Sequence, residues 1–170
     1  MKKCLIVVDV QNDFVSGALG FDGASNVVDV IVEKLKNFDG DVIFTKDTHY
    51  PGYLDTQEGR RLPIEHCFYE THGWELDARL LPFVNKDTIV FEKPSFGSLE
   101  LIPYFQSHEY DEVEIAGLVS NICVISTAVL VKTANPEVRI VVDRKATDSF
   151  DRDLNLKTFD VLEGLQVDVH

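Results

Sequence analysis

The segment AGLVSNICVISTA carries the residue best suited to covalent chemistry, Cys123, between an apolar strand pattern and a helix pattern. The first turn of a helix presents unpaired amide N–H groups and the positive end of the helix dipole, and both favour a thiolate over a thiol. Free cysteines are also common in protein cores, so this position alone leaves a structural role open. The pattern therefore makes Cys123 a candidate nucleophile.

Two more ionisable residues follow apolar runs, Asp9 in LIVVDVQNDF and Lys93 in TIVFEKPSF. A carboxylate close to a thiol can act as the base that removes its proton as the attack begins. A lysine ammonium at the same place can hold the carboxylate and stabilise developing negative charge. Each residue taken singly is typical of a strand end that is solvated or paired for structural reasons. Taken together, they predict a catalytic triad of Asp9, Lys93 and Cys123.

A second group of residues has the types that bind metal ions. Asp47 and His49 lie in TKDTH, and His66 lies in LPIEHC. Two imidazoles and a carboxylate are enough to hold a divalent metal ion with open positions for water or substrate, and Glu58 or Asp55 could add a fourth ligand. The alternative, that these are ordinary exposed side chains of a loop, is not excluded by the spacing alone.

The elements that must position these residues alternate between short apolar runs and helical patterns. The runs CLIVV, DVIFT, TIVFE, EVEIAGL and VRIVV are nearly continuous, as in parallel strands covered on both faces, and LQVDV predicts an edge strand. Helical patterns cover residues 25–38, 99–107, 122–133 and 154–162. The alternation predicts an α/β protein, a single three-layer α/β/α domain over residues 1–170 with a central, mostly parallel sheet.

Open sheets of this kind bind ligands outside the carboxyl ends of their strands. Asp9, Asp47, Lys93 and Cys123 all follow predicted strands and are therefore expected at that edge. The segment 48–73 has no clear periodicity, and a loop of that length in a compact domain is usually functional. Its histidines and acids favour a place in the site.

The composition narrows the class of partner. The formal net charge of −13 argues against nucleic acid and against an anionic membrane surface. No apolar run approaches the roughly 20 residues that span a bilayer, and Asp9 and Asp13 interrupt the N-terminal apolar run before a signal peptide can form. The three cysteines have no framework spacing, which favours a reducing compartment. We therefore expect a cytoplasmic protein that acts on a small molecule.

The motifs VVDVQNDF, TKDTH and LPIEHC, a lysine after the middle strand, and GLVSNICVISTA occur in an order that resembles the nicotinamidase and isochorismatase-like cysteine hydrolase family. The resemblance runs over nearly the whole chain and implies the isochorismatase-like hydrolase fold. It also implies the triad Asp9, Lys93 and Cys123, in agreement with the choice from residue types. The activity it implies is hydrolysis of nicotinamide to nicotinate and ammonia through a cysteine thioester, a step of NAD salvage.

The resemblance implies further features of the site. A cis peptide is expected at Leu118-Val119, with the amides of Val119 and Cys123 forming an oxyanion hole. A divalent metal ion (zinc, iron or manganese) is expected on the ligands Asp47, His49, His66 and Glu58. Because members of the family commonly assemble, we expect a homo-oligomer, with the apolar helix 26–38 as a candidate contact.

The substrate pocket departs from the family pattern at one position. Phe14 matches one of the aromatic residues that enclose the nicotinamide ring, but Pro63 stands where a second aromatic is usual. Leu62, Tyr53 or Phe96 could take its place. The alternative function is therefore hydrolysis of another small amide or carbamoyl compound by the same triad. A catalytically silent binding protein is disfavoured because no triad position is missing.

Overall fold

One six-stranded sheet, parallel throughout, forms the centre of the computed structural model, which describes all 170 residues. The strands are β1 (Lys3–Val8), β2 (Asp41–Asp47), β3 (Ile89–Lys93), β4 (Glu112–Leu118), β5 (Arg139–Asp148) and β6 (Asp168–Val169). Their order in the sheet is β3-β2-β1-β4-β5-β6. The predicted mostly parallel sheet is confirmed, and the predicted strand LQVDV is reduced to the two residues of β6.

Six α-helices accompany the sheet: α1 (Asn12–Val15), α2 (Ala24–Asn37), α3 (Gln57–Arg61), α4 (Leu101–Ser107), α5 (Ile125–Ala134) and α6 (Arg152–Gly164). Alternate residues of β1 belong to two separate apolar cores, as the two-residue period of a strand requires. One core contains side chains of α1 and α2, and the other contains side chains of α4, α5 and α6. The predicted three layers are therefore present.

The helix ends differ from the sequence prediction where capping and turn geometry decide them. α4 begins at Leu101, two residues later than expected. α6 begins two residues earlier than expected because the Asp151 side chain caps it, accepting the Leu154 N–H at 2.9 Å. α2 covers 24–37, and its apolar face packs on the sheet of its own chain, so this face is not the free surface that a subunit contact needs.

The segment predicted as a helix from residue 122 starts differently. A π-helical turn, Ser120–Val124, precedes α5. The Val119 carbonyl accepts the N–H groups of both Ile122 and Val124 at 3.2 Å, which widens the turn beyond an ordinary helical one. Such turns are often found at functional sites.

The long segment 48–73 contains more regular structure than its sequence suggested. A 3₁₀ turn, Tyr53–Asp55, leads into α3, which Thr56 caps by accepting the Gly59 N–H.

A second 3₁₀ segment, Ala78–Phe83, precedes β3. No helix combines the length and the apolar composition that crossing a membrane requires.

Candidate active site

Asp9 lies immediately after β1 and is completely buried. Its φ of +49° places it in the left-handed region, which is uncommon for a residue other than glycine and recurs at functional sites. The Thr45 hydroxyl donates to Asp9 Oδ1 at 2.6 Å, and the Asp9 N–H donates to the Thr45 carbonyl at 3.2 Å. Oδ2 lies 2.6 Å from Lys93 Nζ and takes no part in the Thr45 hydrogen bond, so it is the carboxylate oxygen on the side of the ammonium.

Lys93, the last residue of β3, is only 1% exposed and lies between the other two residues of the predicted triad. Its Nζ lies 2.6 Å from Asp9 Oδ2 and 3.7 Å from Cys123 Sγ, and it donates to the Ser95 carbonyl at 2.8 Å. Burial alone would lower the pKa of Lys93, but the neighbouring carboxylates of Asp9 and Asp47 raise it above its usual value. These carboxylates therefore favour the charged form of Lys93.

Burial has the opposite consequence for the two acidic members. It raises the pKa of Asp9 above its usual value, against the effect of the Lys93 charge, which makes this carboxylate a stronger base than an exposed aspartate. Burial, and then the charge of Asp9, raise the pKa of the Cys123 thiol well above its usual value. Burial therefore opposes the thiolate form of Cys123 that the helix terminus was expected to favour.

The sheet topology explains how these residues meet. β1 and β4 are neighbours in the sheet although β2 and β3 lie between them in the chain. Residues after these two strands, Asp9 and Cys123, therefore border the crevice at which the strand order reverses, the usual ligand site of such sheets. Lys93 reaches the crevice from β3 across β2.

The backbone before Cys123 has the form that the family resemblance implies. The Leu118-Val119 peptide is cis, and the Val119 N–H has no hydrogen-bond acceptor within the protein. Gly117 precedes this bond with a φ of +128°, and a Cβ there would lie 2.1 Å from the Val8 carbonyl oxygen. Only glycine lets β4 approach β1 this closely.

The predicted metal ligands come together in space. Asp47 Oδ2 lies 3.0 Å from His49 Nε2 and 3.3 Å from His66 Nε2, and one ligand atom from each of the three residues lies within 4.8 Å of the others. Glu58 Oε1 lies 3.8 Å from His49 Nε2, on the margin of the group. Asp55, the other candidate for a fourth ligand, is exposed and outside it.

The chemistry of this donor set fits a cation. His66 Nδ1 lies 2.7 Å from the Ile64 carbonyl, which can only accept, so Nδ1 carries a proton and Nε2 faces the Asp47 carboxylate. When the ring is neutral, the Nε2 lone pair and the carboxylate are both available to a metal ion. All three residues are buried, so the site offers a cation two imidazoles and a carboxylate away from bulk water.

Sequence reasoning missed Gln11 as a part of the site. Its side chain accepts the Asp47 N–H at 2.8 Å and donates to the Asp47 carbonyl at 2.8 Å, and it also donates to the Trp74 carbonyl. Gln11 is completely buried and fixes the end of β2 relative to the end of β1. A glutamine in a loop carries no signal of such a role before its partners are known.

A cavity of about 320 Å³ opens in front of Cys123. Its wall is mainly apolar, and the ionisable side chains in it are Asp47, Glu58, His66 and Cys123, without a lysine or arginine. The residues that line it come from separate segments of the chain: Phe14, Ala18, Leu19, Gly20, Asp47, Glu58, Leu62, Ile64, His66, Phe96, Val119, Ile122, Cys123 and Phe150. Such a wall suits a small uncharged ligand and disfavours an anion.

The three side chains considered as replacements for the aromatic at Pro63 have different positions. Leu62 and Phe96 line the cavity together with Phe14, whereas Pro63 does not. Tyr53 lies behind the metal ligands, with its ring centroid 4.7 Å from that of His49, and its hydroxyl donates to the Leu62 carbonyl. Phe150, which sequence reasoning missed, adds a further aromatic wall.

The other cysteine and histidine side chains near or beyond the site have different surroundings. Cys67 is buried, and its N–H donates to Asp13 Oδ2 at 2.7 Å, so it has a structural environment. His72, His108 and His170 are exposed.

Comparison with known proteins places these features in a family. A family model described as an isochorismatase domain matches residues 3–169. The chain is 32% identical over 167 residues, 90% of each chain, to a Bacillus subtilis (strain 168) protein named uncharacterized isochorismatase family protein PncA.

Solved structures share the fold. The crystal structure of nicotinamidase/pyrazinamidase PncA from Bacillus subtilis matches with a TM-score of 0.85 and 29% identity, covering 99% of both chains. The pyrazinamidase of Pyrococcus horikoshii, in complex with zinc, matches with a TM-score of 0.84 and 20% identity over 100% of this chain and 99% of its own. The predicted fold and family resemblance are confirmed.

Proposed function

The chain belongs to the isochorismatase family, and from its site we propose that it is a nicotinamidase, which hydrolyses nicotinamide to nicotinate and ammonia. One observation carries the proposal: Lys93 Nζ lies 2.6 Å from Asp9 and 3.7 Å from Cys123, and Cys123 lines an apolar cavity that has no cationic wall. The similarity to a solved nicotinamidase/pyrazinamidase supports the same activity.

In the proposed mechanism Cys123 Sγ attacks the amide carbon while its proton passes to Asp9 Oδ2. The N–H groups of Val119 and Cys123 stabilise the resulting oxyanion, each by roughly 3 kcal/mol in the transition state. Asp9 then protonates the departing nitrogen, ammonia leaves, and a thioester remains on Cys123. Asp9 takes a proton from the water that cleaves the thioester, the C–S bond breaks as the acid departs, and Asp9 returns its proton to the sulfur.

Lys93 has an electrostatic role in this sequence. Its charge keeps Asp9 in the crevice and balances the negative charge that moves between the carboxylate and the sulfur. Because the neighbouring carboxylates raise the pKa of Lys93, we assign the ammonium the role of a fixed charge and Asp9 the role of proton carrier.

We assign Asp47, His49 and His66 as ligands of a divalent metal ion, with Glu58 as the fourth. Zinc, iron and manganese all suit this set of nitrogen and oxygen donors. When bound, the ion supplies Lewis acidity for an aromatic ring nitrogen and for water beside the thioester. Phe14 and the aromatic walls Phe96 and Phe150 provide the apolar contact for the ring.

A second substrate class is favoured by the position of Pro63 outside the cavity wall, since the aromatic residue expected there is replaced by side chains from other segments. In this case the same triad hydrolyses another small amide or carbamoyl compound.

We further propose that residues 1–170 act as one hydrolase domain in the cytoplasm, in a homo-oligomer. Three free cysteines support a reducing compartment.

The decisive experiment is ammonia release from nicotinamide by the metal-reconstituted protein, beside the Cys123→Ala variant and a panel of small amides. Rapid release that depends on Cys123 supports the nicotinamidase. Preference for another amide transfers the function to the second class. Full activity of a folded Cys123→Ala variant would overturn the mechanism.

A further inference from the structure

A row of polar side chains lies behind the turn that carries Cys123 and takes no part in the steps above. Ser120 Oγ donates to Asn155 Oδ1 at 2.5 Å, and Asn155 Nδ2 donates to Asp148 Oδ1 at 3.0 Å. Ser120 is completely buried and Asn155 is 9% exposed. A buried network in which each member has a partner fixes a single arrangement.

The same aspartate is also linked to the other side of the turn. Asp148, the last residue of β5, stands opposite Leu118 in the parallel pairing of β4 with β5. An irregularity of β5 between Val142 and Thr147 sets this register. Leu118 is therefore held through the sheet, and Ser120 is held through Asn155 on α6.

Val119 lies between these two fixed points. Its carbonyl accepts the N–H groups of Ile122 and Val124, while its own N–H has no acceptor within the protein. The side chain lines the cavity beside Cys123. The orientation of the free N–H is thus set by neighbours on both sides and not by a bond of its own.

We propose that Asn155 is a positioning residue, which through Ser120 holds the Val119 N–H where the oxyanion forms. This inference rests on the proposed amide hydrolysis, because it assigns Val119 as an oxyanion donor. Asn155 comes from a helix that contributes no side chain to the catalytic cavity, so its effect passes through the turn. Donors of an oxyanion hole act only when their distance and direction are correct.

The test compares reactions that need the oxyanion hole with one that does not. Pyridine-3-carboxaldehyde adds to the Cys123 thiol, where a C–S bond forms and the carbonyl oxygen becomes a hydroxyl or oxyanion at the position of the tetrahedral intermediate. Iodoacetamide alkylates the same sulfur with loss of iodide and of the thiol proton, and it forms no oxyanion. Hydrolysis of the preferred amide is measured alongside.

For Asn155→Ala we expect kcat to fall about 10- to 100-fold, because the displaced donor loses part of its stabilisation. Aldehyde affinity should weaken by a similar factor. KM should stay within about twofold, since the ground state does not use the donor, and the alkylation rate should be unchanged. Ser120→Ala should behave in the same way, and Ser120→Thr, which keeps the hydroxyl, should retain activity.

Thr158→Val is the matched control on α6. It removes a buried hydroxyl that donates to the Leu154 carbonyl of its own helix and makes no hydrogen bond to the turn, so all three reactions should be unaffected. If Asn155→Ala does not fold, Ser120→Ala makes the same test with the loss of one oxygen atom.

Two results would overturn the inference. One is unchanged kcat and aldehyde affinity in folded Asn155→Ala and Ser120→Ala variants. The other is an equal loss of hydrolysis, aldehyde binding and alkylation, which indicates a general structural role. If the wild-type protein hydrolyses no amide, the proposed function fails, while the comparison of aldehyde binding with alkylation still decides whether Asn155 positions the donor.

Discussion

Replacement of Lys93 by methionine should expose how strongly the buried ion pair constrains the site. Methionine keeps most of the length and apolar packing of the lysine stem but removes the charge. Asp9 would then be a fully buried carboxylate whose remaining polar support is the Thr45 hydroxyl at 2.6 Å. Loss of one partner from a buried pair typically costs about 3–5 kcal/mol in unfolding free energy.

In a chain of 170 residues, a loss of 1 kcal/mol lowers the melting temperature by about 2–4 °C, so Lys93→Met should melt about 6–20 °C below the wild type. Asp9→Asn should be less harmful. In this variant Lys93 keeps its hydrogen bond to the Ser95 carbonyl at 2.8 Å and its ion pair with Asp47 at 3.7 Å. Asparagine also tolerates the positive φ of position 9.

The double variant Asp9→Asn, Lys93→Met carries neither charge, so it should be more stable than Lys93→Met alone. Urea unfolding of all four proteins at pH 7 gives the coupling free energy, which we expect to be about 2 kcal/mol or more for side chains in direct contact. If the double variant loses the sum of the two single losses, the reasoning about the pair is refuted.

The cost of Lys93→Met should also depend on pH. Removing the cation raises the pKa of buried Asp9 further, since the effect that lowered it is gone. A group whose folded pKa exceeds its unfolded value stabilises the fold at low pH and loses this contribution as pH rises through the folded pKa. The gap between variant and wild type should therefore be smaller at pH 5 than at pH 7.

Three further predictions concern the metal, the strand contact and the ring. Zinc at 100 times its dissociation constant should stabilise the wild type by about 2.7 kcal/mol, and His66→Ala should lose this thermal shift while exposed His72→Ala keeps it. In urea titrations, the free energy of unfolding of Gly117→Ala should fall by more than about 3 kcal/mol, or the variant should not fold, because the added Cβ meets a β1 carbonyl. Gly52→Ala, also at positive φ but in open space, should lose about 1–2 kcal/mol. Phe14→Ala should raise KM for nicotinamide by about tenfold or more, as expected from a lost aromatic contact, with little change for acetamide; equal effects on both amides would contradict the assigned ring contact.

The sequence alone determined the class of fold and the edge of the sheet that carries the chemistry. Short Val- and Ile-rich runs alternating with helical periodicity predict parallel strands, because both signals come from residues that are close in the chain. Since the carboxyl ends of parallel strands share one edge, Asp9, Asp47, Lys93 and Cys123 could be placed together before any distance was known.

Only the tertiary structure decided what these residues do to one another. The raised pKa of the Cys123 thiol follows from its burial beside Asp9, and the place of Phe96 and Phe150 in the cavity follows from loops that meet through the sheet order. The link from Asn155 to the turn before Cys123 joins residues far apart in the chain. Periodicity is a local property, whereas solvation and hydrogen-bond partners depend on which distant segments pack together. The sequence of one segment does not say which other segments pack against it.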